Sequence, residues 1–441
     1  MASHIGKRFE TERAKAGLED WLQHRNAKTF PFEEVMNEYH SVGKHFVDAD
    51  VLARLAEVRS HIATVPGPWQ DVQVLASFLD TALDKHDDRY DYPTYLALNV
   101  LQLPAHNDPV EHAPFARARF DRLRAQLVCD LLDYELTVID GLTTSLPQLR
   151  PSADVVDKRI HLAVRLMRPF FTRLGLDGSL TATDTIELAR QMVEAVRDDM
   201  SDSEKRTLEL SILPVYTAHD EYLFLRVLQS FETTFALIAL QLRGALTALA
   251  NRDAGQAAHY LSDSAAALRE AGLLFSMLAT MQVESFQTFR NYTEGASAIQ
   301  SRNYKILESL CRTPDADRID SLAYYSVPEV RERILAGNHT LDDAFVEACS
   351  SGQLSADEIG AVHAGMEAMS DAILRWRKTH LSLAVRMLGE QTGTGSTEGT
   401  PYLAHVRDIP VFESAEPAAP RTCPFAKKTA AQRNSPIAMS A

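Results

Sequence analysis

A single histidine, His380, interrupts a regular apolar pattern near the carboxyl end of the chain. Apolar residues recur there in steps of three and four, which predicts one buried stripe along a long helix. The stripe consists of Ile359, Val362, Met366, Met369, Ile373, Trp376, His380, Leu383 and Met387. Because buried polar groups normally find a partner, His380 is either a core histidine held by one hydrogen bond or the ligand of a metal-bearing cofactor.

The sequence favours a particular kind of cofactor if His380 is a ligand. No second His, Asp or Glu at metal-ligand spacing accompanies it on the stripe. A site built from several protein ligands therefore fits less well than a cofactor that brings its own four nitrogens. A neutral imidazole can bind haem iron through one ring nitrogen while a neighbouring group fixes the other N–H.

The stretch GTGSTEG, residues 393–399, follows this helix. A dinucleotide-binding fingerprint needs a strand before the glycines, and here a helix comes first, so that interpretation is rejected. Two others remain open. The loop is a helix terminator with a glycine cap, or a lid whose hydroxyls and backbone N–H groups meet a small polar ligand.

A second long helix is predicted upstream. Its apolar stripe is Phe224, Leu228, Phe231, Phe235, Ile238, Leu242, Ala245 and Leu249. The tripeptide HDE at residues 219–221 precedes it and could suggest a metal or deaminase site, but the P-C-x-x-C segment of the deaminases is missing. The tripeptide is better interpreted as the helix start, with Thr217 and Asp220 as capping residues.

Three further residues have a functional and an ordinary interpretation. Arg290, in FQTFRNYTEGASAIQS, is either a solvated or surface-paired charge or a planar fork that holds a carboxylate. Tyr92 and Tyr95, in YDYPTYLAL, are packing aromatics unless the fold brings them to a site.

Bulk properties narrow the class of protein. The chain has 441 residues, of which 45% are hydrophobic and 24% charged, as in a globular protein with a sizeable core. The formal net charge of -15 argues against a nucleic-acid partner. The four cysteines have no C-x-x-C spacing, and we find neither an apolar signal core nor a membrane-length apolar run. We therefore expect a cytoplasmic protein without a membrane partner.

Helical periodicity dominates, and strand alternation is nearly absent, so the predicted fold is all-α. We expect helix breaks at Pro31 and at the VPGPW segment, residues 65–69. The predicted organisation is an N-terminal helical region (1–85), an aromatic arm (86–107), an inserted helical block (108–215), a helical core (216–410) and a disordered Ala- and Pro-rich tail (411–441).

Four segments, taken in order, resemble the tryptophan 2,3-dioxygenase superfamily of histidine-ligated haem enzymes, which includes the indoleamine dioxygenases. The segments are YPTYLAL, HDEYLF, FRNYTEGASAIQS and WRKTHLSLAVRMLGEQTGTGSTEG. The corresponding family patterns are Y-x-x-Y-L-x-L, H-D-E-x-L-F, F-R followed by P-A-S-G-F-Q-S, and W-R-x-x-H-x-x-x-x-x-R-M-x-G with G-T-G-G-S-S-G. The resemblance covers mainly residues 90–105 and 216–405.

The resemblance implies a helical bundle that encloses haem b, with additional N-terminal and inserted helices. His380 would be the proximal ligand of the iron, with Trp376 beside it on the same helix face. Gly393 and Gly395 of the loop would lie against the cofactor.

The resemblance also implies a site for an aromatic amino acid. Arg290 would hold the carboxylate and Thr394 the ammonium group. Phe224 and Leu228 would line the pocket of the ring. Tyr92 and Tyr95 would reach the site on an arm that comes, in relatives, from a neighbouring subunit, which suggests a homo-oligomer.

The chain departs from the family pattern near the expected site. Leu228 stands where tryptophan dioxygenases carry a distal histidine, and leucine can neither accept the indole proton nor hydrogen-bond oxygen. The loop places Glu398 near the cofactor mouth. In the turn after Arg290, Gly295, Ala298 and Ile299 replace Pro, Gly and Phe.

The leading functional expectation is a haem-dependent dioxygenase of tryptophan catabolism, which uses O2 to open an indole ring to a formylkynurenine-type product. One alternative is a haem-dependent monooxygenase or rearranging enzyme of secondary metabolism that acts on tyrosine or a substituted tryptophan. A further alternative is a haem-binding sensor without turnover.

Overall fold

A computed structural model of the chain describes residues 2–103, 109–389, 393 and 399–414. Within these ranges the regular structure is helical, and the nearest approach to a sheet is an isolated bridge between Gln148 and Ala218. The predicted all-α fold is confirmed.

The N-terminal helices pack around a hydrophobic core of their own. They are α1 Ala2–His24, α2 Phe32–Val42, α3 Ala49–His61 and α4 Trp69–Ala82. Pro31 directly precedes α2 and Pro68 directly precedes α4, so the predicted helix breaks are confirmed. Proline removes an N–H donor and fixes φ, which costs least at a helix start. Leu18, Val51 and Phe78 are among the fully buried members of this N-terminal core.

The remaining helices, apart from the last of them, contribute to a second, larger core. Their bounds are α5 Tyr92–Tyr95, α6 Ala113–Ile139, α7 Ala153–Leu174, α8 Thr185–Asp199, α9 Asp202–Leu210, α10 His219–Ala250, α11 Ala254–Glu270, α12 Gly272–Leu278, α13 Val283–Arg290, α14 Arg302–Cys311, α15 Ala316–Ile319, α16 Leu322–Tyr325, α17 Pro328–Leu335, α18 Leu341–Ser351, α19 Ala356–Leu388 and α20 Thr400–Arg407. Short 3-10 helices lie at Ala27–Thr29, Lys44–Phe46, Ile62–Thr64, Val110–His112, Asp177–Ser179 and Ala298–Gln300.

Helix α10 lies at the centre of this larger core and packs against α6, α11, α14 and several shorter helices. It is long and apolar enough, by length and composition, to cross a membrane, but 94% of its most apolar window is buried inside the protein. A helix that is apolar on all sides is buried on all sides, which explains why the sequence of α10 carries so few charges after its first two turns.

The predicted domain boundaries stay a prediction. Helices α6 to α9 of the predicted inserted block contribute to the same core as α10 and α19. At the other end, Val411 and Phe412 are buried, and the backbone N–H of Glu413 donates to Asp342 at 2.7 Å. Residues 415–441, most of the predicted tail, lie outside the described residues.

Helices α11 and α19 pack closely where a glycine faces a leucine. A Cβ atom added to Gly365 would lie 2.9 Å from Leu261 Cβ and 3.4 Å from the carbonyl oxygen of Ala258. The missing side chain therefore sets the separation of the two helices. Helix α19 carries His380, so this packing also fixes the position of the histidine.

We predict that Gly365→Ala lowers the free energy of unfolding by roughly 1–3 kcal/mol, because the added methyl group forces two packed helices apart. Gly360→Ala is the matched control on the same helix. Gly360 is exposed and has no atom within 4 Å of an added Cβ, so alanine there should raise stability by up to about 1 kcal/mol through helix propensity. Urea unfolding followed by circular dichroism measures both. Equal effects of the two substitutions would contradict the packing role of Gly365.

Candidate active site

A cavity lies between α10, α13, α14, α19 and α20. Its volume is about 250 Å³, counted as the space that the centre of a water molecule can reach. The cavity brings together many of the residues singled out from the sequence, namely Tyr92, Tyr95, Phe224, Leu228, Arg290, Trp376, His380 and Gly393. Thr394 and Gly395 lie outside the described residues. The roles assigned to all of these residues remain predictions.

His380 lies on the cavity side of α19 and is half-buried. Its ring lies 5.0 Å from Trp376 and 6.2 Å from Phe275, measured between ring centroids. Burial lowers the pKa of His380 to about 4, so the imidazole is neutral at physiological pH. Neither ring nitrogen has a hydrogen-bond partner within the described part of the chain.

The indole N–H of Trp376 also lacks a hydrogen-bond partner among the described residues. Its Nε1 atom is buried and makes no hydrogen bond to any described residue. The ring is enclosed by Phe231, Phe235 and Tyr304, at centroid distances of 6.0, 5.3 and 5.2 Å. Two adjacent aromatic groups on α19 thus face the cavity with polar atoms that no described side chain satisfies.

A buried group of charges forms another wall of the cavity, and we call it the Glu308 cluster: Glu308, Lys305, Arg318 and Arg377. The Arg318 and Arg377 guanidinium groups donate to the Glu308 carboxylate at 2.6 and 3.1 Å, and Lys305 Nζ lies 3.9 Å from it. Arg377 directly follows Trp376, so the cluster ties the histidine-bearing helix to α14 and α15.

The Glu308 cluster has more positive than negative charge. Desolvation acts to raise the pKa of Glu308, but Lys305, Arg318 and Arg377 outweigh it and hold that pKa well below its usual range. The single carboxylate is therefore ionised and shared by three cations. The excess positive charge faces the cavity, since all three cations line it.

Helix α10 supplies the opposite side of the cavity. Phe224 packs against Phe289, Phe286 and Tyr95, at centroid distances of 5.3, 5.8 and 6.4 Å. Leu228, one turn further, is buried and also lines the cavity. The spacing of the apolar stripe predicted that these two residues share a face, and the structure agrees.

The HDE tripeptide holds neighbouring elements in place. His219 Nε2 contacts Glu135 Oε2 at 3.0 Å. Asp220 accepts a hydrogen bond from Arg159 at 2.6 Å and another from the backbone N–H of Gln282 at 2.8 Å. The described residues contain no group of three or more His, Cys, Asp or Glu suited to a metal ion.

The predicted helix start at HDE is confirmed, but the predicted capping residues are wrong. Helix α10 begins at His219, and its N-cap is Ala218, which offers no side-chain cap. The carboxylate of Asp220 is used by Arg159, and the hydroxyl of Thr217 accepts from Gln148 at 2.9 Å. Tertiary partners have replaced the local caps.

Glu221 joins the start of α10 to the aromatic arm. Its carboxylate accepts from the backbone N–H groups of Val215 and Tyr216 at 2.7 and 3.0 Å, and from the Tyr95 hydroxyl at 3.3 Å. Burial raises the pKa of Glu221 to about 8, although these donors oppose the shift. Tyr95 is thereby fixed against the first turn of α10.

The arm reaches the cavity within one chain. The backbone N–H of Tyr92 donates to Gln300 Oε1 at 3.0 Å, and Gln229 Nε2 donates to the carbonyl of Leu96 at 2.9 Å. A Cβ atom on Gly295 would lie 2.7 Å from the carbonyl oxygen of Tyr90, so only glycine allows this approach. The replacement of the family's proline by Gly295 therefore accompanies an arm that packs on its own chain.

The N-terminal helices anchor the arm. Lys44 Nζ and Asp84 Oδ2 form a fully buried ion pair at 2.8 Å, just before the arm begins. The backbone N–H of Lys44 donates to the carbonyl of Pro214 at 2.7 Å, close to the start of α10. The N-terminal core is in this way connected to the cavity.

Comparison of the sequence with known proteins finds similar proteins that are named tryptophan 2,3-dioxygenase. The chain is 26% identical over 232 residues to the tryptophan 2,3-dioxygenase of a Polaromonas strain, which covers 45% of this chain and 79% of the relative. It is 28% identical over 212 residues to that of a Nocardioides strain, covering 42% and 79%. It is 26% identical over 233 residues to that of Burkholderia ambifaria, covering 45% and 75%. No protein-family model matches the chain.

The chain is a divergent relative of the tryptophan 2,3-dioxygenases. The similarity extends over less than half of this chain, so most of its length has no counterpart in these alignments. The family pattern also fails at Leu228, which the structure puts at the cavity wall. The resemblance inferred from the four motifs is confirmed.

Several cavity residues escaped the sequence analysis. The Glu308 cluster was missed because its members are joined only by tertiary contacts. Glu232 was also missed. It follows Leu228 by four residues, so the helical period predicts that both lie on the cavity face of α10.

We predict that Glu308→Gln lowers the free energy of unfolding at pH 7 by roughly 3–5 kcal/mol, because it leaves buried cations without their anion. A carboxylate whose pKa is depressed by folding contributes stability above its unfolded pKa, near 4.3, and loses it as the pH falls through the folded value. The difference between wild type and variant should therefore shrink as the pH falls below about 4.

Urea unfolding between pH 3 and pH 7 measures this difference. Glu329→Gln is the control, since Glu329 pairs with Arg302 at 3.2 Å on the surface and should contribute at most about 1 kcal/mol. A difference for Glu308→Gln that stays constant over the whole pH range would contradict the assigned role of its charge.

Proposed function

We propose that this protein is a haem-dependent oxygenase that uses O2 on an aromatic amino acid, with opening of an indole ring as the leading reaction. The observation that carries the proposal is that one aromatic-lined cavity contains both His380 and Arg290. Its relation to enzymes named tryptophan 2,3-dioxygenase supports the same conclusion.

The residues around the cavity fit haem in three respects. The walls near His380 are apolar and aromatic, as a flat macrocycle requires, and include Phe231, Phe235 and Phe275. The neutral imidazole of His380 has no described hydrogen-bond partner and would hold the iron through a ring nitrogen. The described residues offer no multi-ligand metal site, so a metal would have to arrive with its own ligands.

The positive charge of the Glu308 cluster also suits the negative charge of haem. Haem carries two carboxylates, and Lys305, Arg318 and Arg377 share only one carboxylate among them. Buried cations without enough anions are costly, so this wall favours an anionic group in the cavity. When bound, haem would supply the iron chemistry that activates O2 toward a closed-shell ring.

The chain's own residues would bind and orient the amino acid. Arg290 is half-buried, and desolvation lowers its pKa, but a guanidinium stays charged and can hold a carboxylate through two parallel hydrogen bonds. Phe224 and Tyr95 would enclose the ring, and Thr394 is expected at the ammonium group. Fixing the amino acid in one orientation lowers the entropic part of the barrier.

Leu228 supports the second candidate function, a haem-dependent monooxygenase. Its side chain is buried and lines the cavity, so a hydrocarbon occupies the position of the expected distal histidine. Leucine can neither remove a proton from the ring nor donate a hydrogen bond to oxygen. A reaction that transfers one oxygen atom, to tyrosine or a substituted tryptophan, remains compatible with this wall.

We predict that His380→Ala abolishes stable haem binding, because no other described side chain at the cavity offers an imidazole nitrogen. Absorbance spectroscopy of the purified variant after haem loading measures the Soret band. His363→Ala is the matched control, since His363 lies on the same helix, is partly exposed and pairs with Glu367 at 3.7 Å. An unchanged Soret band in His380→Ala would contradict the ligand assignment.

The experiment that tests the function is turnover of the reduced, haem-loaded protein with tryptophan under isotopically heavy O2. We expect a product whose mass shows two heavy oxygen atoms, as ring-opening dioxygenation requires. One heavy atom would support the monooxygenase instead. Absence of any product with tryptophan, with ring-substituted tryptophans and with tyrosine would contradict both and leave a haem-binding sensor.

A further inference from the structure

Glu232 is a buried acid in the wall of the cavity. It lies on α10, one turn after Leu228 and two turns after Phe224, and all three residues line the cavity. Its side chain is fully buried. A carboxyl group in such a position has lost its water and needs other partners.

The protein satisfies only part of this need. Asn303 Nδ2 donates to Glu232 Oε2 at 3.1 Å, whereas Oε1 is buried and has no hydrogen-bond partner within the described ranges. No lysine or arginine is among the groups that shift its pKa. Burial raises the pKa of Glu232 to about 7, and hydrogen bonding from the Ser301, Asn303 and Tyr92 side chains opposes this rise. The Ser301 and Tyr92 hydroxyls thus approach the carboxyl group, but neither completes a hydrogen bond of full geometry to Oε1.

Glu221, the other buried glutamate on this helix, does not lack hydrogen-bond donors as Glu232 does. Both oxygens of Glu221 accept hydrogen bonds, from two backbone N–H groups and from the Tyr95 hydroxyl. Leaving a buried oxygen without a donor is unfavourable, so a group that enters the cavity and donates to it recovers that free energy. Glu232 is therefore suited to recognise a hydrogen-bond donor on a ligand.

We propose that Glu232 accepts a hydrogen bond from an N–H or O–H group on the ring of the bound amino acid, and that the enzyme thereby selects rings that carry such a donor. This inference rests on the proposed function. It makes Glu232 a specificity-determining residue and narrows the substrate class to indole-like or phenol-like side chains.

The geometry favours the ring over the ammonium group as the donor. Phe224 packs against Phe289, the neighbour of Arg290, so the ring of a ligand whose carboxylate is held by Arg290 would begin beside Phe224. Glu232 follows Phe224 by eight residues, which is roughly 12 Å along the helix axis. The ammonium and carboxylate of an α-amino acid share one carbon atom, and both therefore stay near Arg290. The ring is the part that extends away.

Calorimetric titration of the haem-loaded full chain with pairs of ligands tests this inference. One pair is tyrosine and phenylalanine, and the other is tryptophan and its benzothiophene analogue, in which sulfur replaces the ring N–H. Wild type should bind the donor-bearing member of at least one pair about ten-fold more tightly. Glu232→Leu should remove that preference, and Glu232→Gln, which keeps an acceptor oxygen and the shape, should retain part of it.

Arg290→Ala is the control, because the carboxylate that it is expected to hold is common to both members of a pair. This variant should weaken both by the same factor and leave the preference intact. Circular dichroism and the Soret band establish that each variant is folded and loaded.

The outcomes separate the inference from the proposed function. A preference that is lost in Glu232→Leu and partly kept in Glu232→Gln supports the inference. Equal binding within both pairs in wild type, or a preference that survives in Glu232→Leu, overturns the inference while the amino-acid site stands. Failure of wild type to bind any of the four amino acids overturns the proposed function, and the inference with it.

Discussion

The burial of most of α10 is the constraint on which the rest of this structure depends. A helix of 32 residues, 26 of them buried, must satisfy its buried polar groups without water. Its first turn does so through His219, Asp220 and Glu221, which bind residues of three other segments. The same demand that fixes the helix therefore fixes the inserted helices and the arm around it. Glu232 differs, because one oxygen of its buried carboxyl group has no hydrogen-bond partner among the described residues.

A second set of charges positions α19 relative to α10. Arg377 donates to Glu308 on α14, to the Tyr304 hydroxyl and to the carbonyl of Ile409, so the turn beside His380 is held from several directions. Gly365 brings the earlier part of α19 against α11. Packing and ion pairs fix the helix that carries His380, while the imidazole itself has no partner among the described residues. In the described part of the chain, the helix and not a hydrogen bond to the ring supplies the rigidity at this position.

The sequence predicts the fold class and much of the cavity because both depend on local periodicity. Steps of three and four residues put Phe224 with Leu228, and Trp376 with His380, on single helix faces, and the structure brings the two faces to one cavity. The local pattern predicts a helix cap at Asp220, but Arg159 and Gln282 donate to that carboxylate instead. No local pattern predicts the Glu308 cluster, because Glu308 and Arg377 are 69 residues apart and only the tertiary fold joins them.

Two departures from the family pattern, Leu228 and Gly295, are connected through the aromatic arm and Glu232. Leu228 removes a polar group from the cavity face of α10, and Glu232 presents an unsatisfied oxygen on the same face one turn later. Tyr92, which comes from the arm, lies close enough to oppose the pKa shift of Glu232. The arm in turn reaches that position because Gly295 leaves room for the carbonyl of Tyr90. The substitution at Gly295 in the turn after Arg290 is thus connected, through the arm, to Glu232 on the cavity face of α10.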